Sequence, residues 1–202
     1  MRRLAVVAGA VALLAIAYVG LKAGGWIVPA QTGRMTAMAE ADYLVITTLE
    51  ELTQEASVVA VGTVAGVDGT RNVARDPWNP ELPHPSLEII AVDYRFEVEE
   101  FLKGSAPSTL LVTESKWIGR KGQPRALIRG FVEMSSGGRY VVFLRETTDE
   151  TGHWIGIAEP WRFALRDGQA VVESRWEAAG DRFPAIGEEE FLAQVRAFVD
   201  TH

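Results

Sequence analysis

Three carboxylates that share one side of an extended run are the first residues able to act together. Between residues 92 and 99, Val92, Tyr94, Phe96 and Val98 alternate with Asp93, Arg95, Glu97 and Glu99. A period of two puts the apolar set on one face of a strand and Asp93, Glu97 and Glu99 on the other. Carboxylates at i and i+2 on one face are oxygen donors of the kind a hard cation such as calcium takes. The Asp-x-Asp-x-Asp-Gly loop that would complete such a site is absent, and Arg95 on the same face can neutralise the acids. The plain alternative is a solvated strand face, because charges on the wet side of a sheet are the norm. A second set, Asp76, Asn79, Glu81 and His84 beside Trp78, falls in a loop with Pro77, Pro80, Pro83 and Pro85. It offers mixed oxygen and imidazole donors for a metal, or a lip for a ligand. The plain alternative is an ordinary loop, since nothing in the sequence fixes the geometry of these donors, although loops this long are uncommon without some role.

The most unusual local chemistry is basic. Lys116, Arg120, Lys121, Arg125 and Arg129 are five cations within fourteen positions that hold no acid. Gly119, Gly122 and Pro124 make the segment a flexible connection, and Trp117 and Ile118 give it an apolar tip. Such a segment can hold an anionic ligand or rest on an anionic surface. The competing expectation is that the five bases pair with the acidic strand 93–100 of the same domain.

Much chemistry is excluded by composition. The 202-residue chain has no cysteine, so disulfides, thiolate metal sites and a cysteine nucleophile are ruled out. Its three histidines, His84, His153 and His202, are too few for a histidine-rich centre. Neither a Gly-x-Ser-x-Gly elbow nor a phosphate-binding glycine loop is present. The usual general acids, bases and nucleophiles are sparse, which leans the reading away from an enzyme and from any cofactor. A net charge of −7 and a pI near 5.1 argue against a nucleic-acid partner.

These residues need a scaffold outside the cytoplasm. Arg2 and Arg3 precede an uncharged run from Leu4 to Leu21, at the lower edge of what spans a bilayer. Residues 1–30 read as a transmembrane anchor in the cytoplasmic membrane, since the run is long for a signal-peptide core. Val28-Pro29-Ala30 leaves cleavage after Ala30, and a secreted or periplasmic product, as the alternative. Taking away Arg2, Arg3 and Lys22 with no acid moves the remainder from −7 by three, to −10. Residues 31–46 form a tether, and residues 47–202 the exported domain. Within that domain Thr48 and Glu51 form a capping box for a short helix over 49–55. A valine-rich strand over 57–67 ends at an Asp68-Gly69 turn. Strands follow over 87–102, 109–115, 139–145, 153–158, 161–166 and 169–173, and an amphipathic helix after Gly187 closes the chain. The spacing predicts an α+β, mostly β domain: a small antiparallel barrel or sandwich with a short N-terminal and a C-terminal helix.

Four segments carry a resemblance: LTQEASVVAVGTV from Leu52, YRFEVEEFLKG from Tyr94, GRYVVFL from Gly138 and WRFALRDG from Trp161. Their spacing resembles a family of uncharacterised exported bacterial proteins. The layout is also similar to the OB-type barrel of netrin-like modules and tissue inhibitors of metalloproteinases. The resemblance spans about 47–202 and implies a fold, not an activity. Those inhibitors engage zinc through an N-terminal cysteine, which this chain lacks. The expected role is a non-catalytic module tethered outside the cytoplasmic membrane, meeting an envelope protein, a polymer or an anionic surface. An envelope enzyme or metal-binding domain using loop 76–84 and strand 93–100 is the alternative.

Overall fold

The computed structural model describes residues 44–147 and 152–200. The chain divides into two units, Met1–Ala37 and Met38–His202, and every described residue belongs to the second. The apolar run 4–21, the position after Ala30 and most of the tether lie outside the described residues. Among the described residues no helix is long and apolar enough to cross a membrane.

Helix α1 (Leu49–Glu55) starts where the capping box places it: the Thr48 hydroxyl accepts from the Glu51 amide at 3.2 Å. The chain is fixed into the domain slightly earlier. The Ile46 amide donates to the Glu159 carbonyl at 3.0 Å, and the Glu159 amide to the Leu44 carbonyl at 2.8 Å.

Strand β1 (Val58–Asn72) opens with an unbroken apolar run because both of its faces are covered. Val58 and Ala60 face one apolar cluster, Val59 and Val61 the other. Gly62 is required there: a Cβ on it would lie 2.2 Å from the Glu97 carbonyl oxygen. The Asp68-Gly69 pair does not turn the chain. It forms one of several bulges where the pairing with β2 (Leu87–Lys103) slips, and Asp68 meets Arg95 at 2.6 Å. The strand therefore runs on to Asn72, and the proline-rich loop, expected over 68–87, covers residues 73–86.

Strand β2 pairs antiparallel with β1 and with β3 (Thr109–Arg120). Next come the two-residue β4 (Ala126–Leu127), then β5 (Arg139–Glu146) and β6 (His153–Gly156). The ladder continues from β3 to β6, from β6 to β5 and from β5 back to β1. The sheet thus returns to its starting strand. One pair, β3 with β6, is parallel rather than antiparallel. That follows from β6 being the return arm of a hairpin with β5, so it runs opposite to β5 and along β3.

Strand β7 (Arg162–Arg166) continues along the edge of β5 where β6 stops, and residues 157–161 bulge out opposite Phe143. Strand β8 (Gln169–Val172), the short helix α2 (Ala179–Arg182) and β9 (Ile186–Gly187) extend this flank. Helix α3 (Glu188–Asp200) ends the described chain, with Glu188, Glu189 and Glu190 in the first turn, where the helix dipole favours them.

Two apolar layers result. Inside the ring of strands lie Tyr94, Phe96, Val112, Tyr140, Val142 and Leu144. Outside it, between the sheet and the two longer helices, lie Leu52, Val59, Val141, Phe143, Phe163 and Phe191. Burying each such side chain contributes about 1.5–3 kcal/mol, so β1 and β5, which feed both layers, hold the domain together.

Candidate functional site

The acidic strand does not present three free carboxylates. Asp93 is buried, at 5% exposure. It accepts from the Thr113 hydroxyl at 2.6 Å and faces the Arg71 guanidinium at 3.2 Å. Glu99 accepts from the Thr63 hydroxyl at 2.8 Å and from Arg139 at 2.7 Å. Desolvation works against the Glu99 charge, but the hydrogen bonds from Arg139 and Thr63 outweigh it and hold the carboxyl below its ordinary range. Glu97 is exposed between them, and Glu100 pairs with Arg196 of α3 at 2.9 Å. Among the described residues no three carboxylates or histidines gather in a way that could hold a metal ion.

The proline-rich loop uses its polar side chains on itself. Asp76 Oδ1 accepts from the Trp78 amide at 2.8 Å and the Asn79 amide at 3.2 Å. His84 Nδ1 accepts from the Ser86 amide at 3.2 Å and the Leu87 amide at 2.8 Å. A bridge between Arg75 and Pro83 closes its base. These contacts and the four prolines brace the loop. It presents two large apolar side chains outward, Trp78 at 92% and Leu82 at 54% exposure, beside the exposed Asn79 and Glu81.

The basic segment is divided by the fold. Residues 116–120, expected in a connection, belong to β3, because Trp117 to Arg120 pair with Ile90 to Leu87 of β2. Trp117 is accordingly half-buried against the inner apolar cluster and is not a tip. Lys116 sits 4.6 Å above its ring and pairs with Glu133 at 2.8 Å. Arg125 pairs with Glu88 at 2.9 Å and Arg129 with Glu177 at 2.6 Å. None of the three pairs uses the carboxylates of 93–100. Arg120 and Lys121 are exposed and have no ion pair among the described residues. They lie beside the proline-rich loop, since the Lys121 amide donates to the Ser86 carbonyl at 2.9 Å. One end of the domain thus gathers Trp78, Leu82, Arg120 and Lys121.

A buried ionic centre lies at the mouth of the ring. The Arg162 and Glu114 side chains, 1% and 3% exposed, meet at 2.6 Å. Arg162 also donates to the Val132 carbonyl and stands 4.7 Å from the Trp161 ring. Glu173 lies 3.7 Å from Arg162. Glu159, equally buried, accepts from Arg175 at 2.9 Å and from the Ser174 hydroxyl at 2.6 Å. Desolvation pushes the Glu114 carboxyl above its ordinary range, against the pull of Arg162. It also raises the neighbouring Tyr94 phenol. Arg162, Glu114 and Glu159 are closed off from solvent, with Glu173 and Arg175 at the edge. They pin the strand-free segment 128–134 across the ring. A trace of this is visible in the sequence, because period two puts Glu114 on the face of Leu110 and Val112. Its partner Arg162 is distant in the chain and carries no such mark.

No protein-family model matches this chain, and no curated protein does.

Proposed function

We propose that the chain is a non-catalytic interaction module of the cell envelope, whose contact surface is the end of the domain that carries Trp78. The observation that carries this reading is a tryptophan 92% exposed on a loop whose own hydrogen bonds hold it in place. An exposed large aromatic forgoes about 1.5–3 kcal/mol of burial, and a braced loop forgoes little further entropy when a partner covers it. Leu82 widens the apolar contact, and Arg120 and Lys121 flank it with two cations that form no ion pair among the described residues, against the one carboxylate of Glu81 on the loop. The complementary chemistry is an anionic surface with an apolar layer beneath, as lipid headgroups offer.

The strand circuit β1–β2–β3–β6–β5–β1, with β3 and β6 parallel, favours an OB-type barrel over a sandwich. It supports the likeness to netrin-like modules and adds no activity. The outward location rests on Arg2, Arg3 and the apolar run 4–21. The rival metal-binding or enzymatic reading loses support from the internal partners of Asp93, Glu99, Asp76 and His84.

The test is flotation of the full chain, held in neutral-lipid nanodiscs, with phosphatidylglycerol-containing or purely zwitterionic vesicles. Trp78→Ala should weaken binding to anionic vesicles about tenfold or more, at any salt. Replacing Arg120 and Lys121 by Ser should remove the salt-dependent part, about 1 kcal/mol for each cation. Equal binding of wild type and all variants would refute this surface. A purified anionic wall polymer, run in parallel, separates a lipid source of the anion from a polymer source.

A further inference from the structure

A cavity lies on the other flank of the domain, where α1, β8, α2, β9 and α3 meet. It has a volume of about 220 Å³. Its floor is aromatic: the Phe163 ring lies 5.5 Å from that of Phe183 and 4.6 Å from that of Phe191. Ile186 forms a wall, and the polar residues Thr47, Thr48, Arg182 and Gln194 complete the lining. No acidic residue lines it, although the chain as a whole carries −7. Arg182 is exposed and has no ion pair among the described residues.

We infer that this cavity binds a small monocarboxylate with an apolar body, of arylacetate size. The ring of the ligand lies on the three phenylalanines, and its carboxylate meets the Arg182 guanidinium in a charge-assisted, two-pronged contact. Size sets the class. An apolar cavity of about 150 Å³ accepts a benzene molecule, so about 220 Å³ holds one ring and a short carboxylate arm. A single lining cation matches one negative charge and not a polyanion, which separates this ligand from the partner proposed for the Trp78 end. The two proposals share no residue, and either can fail alone.

Equilibrium dialysis tests it, with labelled phenylacetate or phenylacetamide and the full chain in nanodiscs, empty nanodiscs serving as the blank. The chain should bind phenylacetate saturably, and the neutral amide about tenfold more weakly. Arg182→Gln should bring phenylacetate down to the level of the amide and leave the amide unchanged. Ile186→Trp, which fills the cavity, should abolish binding of both. Three results overturn the proposal: no saturable binding above the blank, equal binding of acid and amide, or an Arg182→Gln variant that keeps the preference for the acid.

Discussion

Glu114 and Arg162 show what a buried charge costs and what it fixes. Each is desolvated, and their contact at 2.6 Å offsets that only as long as both are present. Arg162→Met should therefore destabilise the domain by about 3–5 kcal/mol, because the Glu114 carboxylate loses its partner. Adding Glu114→Leu to that variant should recover most of the loss, as read by urea unfolding. Burial raises the Glu114 carboxyl, so the folded chain keeps a proton that the unfolded chain releases near about pH 4.3. The resulting stabilisation is complete below that pH and is lost as pH rises through the elevated folded value. Glu114→Gln cannot titrate. Its stability relative to wild type should therefore improve from pH 4 to pH 7, and a constant difference across that range would contradict the assignment. Tyr94 gives a simpler case: its buried hydroxyl has only the Met134 backbone facing it, short of good hydrogen-bond geometry. Tyr94→Phe should therefore change stability by no more than about 1 kcal/mol, as read by thermal unfolding.

At the scale of elements, the long β1–β2 ladder is the member that everything else hangs on. Gly62 lets β2 pass at close range, and a methyl group there would meet the Glu97 carbonyl at 2.2 Å and the Phe96 ring at 2.7 Å. Gly62→Ala should cost about 1–3 kcal/mol through overpacking, against well under 1 kcal/mol for Gly69→Ala, where nothing lies within 4 Å. Thermal unfolding of the two variants side by side measures this. Much of this ladder is legible in the sequence, since alternation over 92–98 marks β2 and the unbroken valines mark a strand covered on both faces. The partial failures share one cause. Asp93 reads as wet from its period, yet Arg71 from β1 and Thr113 from β3 fold over it. Trp117, two residues before Gly119, and Trp78, just after Pro77, both read as loop tryptophans. Their opposite burial depends on whether Trp117 finds Ile90 across the sheet, a pairing of distant segments that no local pattern encodes. The two-residue strands and α2 are too short to leave a period at all.

Across the whole described domain, chemistry is sorted by position. The ring interior is closed by an ion pair, one flank carries the helices and the aromatic cavity, and the free end of the β1–β2 arm carries Trp78. The arm spans β1 from Val58, next to α1, to Asn72, roughly 45 Å of extended chain. Contact with a partner at the Trp78 end therefore leaves the α1 and α3 flank uncovered. The chain has no cysteine, so a single introduced one reports from a single place. Glu81→Cys beside the tip and Ala193→Cys on α3 are both exposed positions for an environment-sensitive dye. The most direct measurement follows the emission of each labelled chain, held in neutral nanodiscs, as anionic vesicles are added. Position 81 should show a blue shift and protection from an aqueous quencher, and position 193 no change. A shift at 193 alone, or no shift at 81 under conditions where the chain floats with the vesicles, would contradict it.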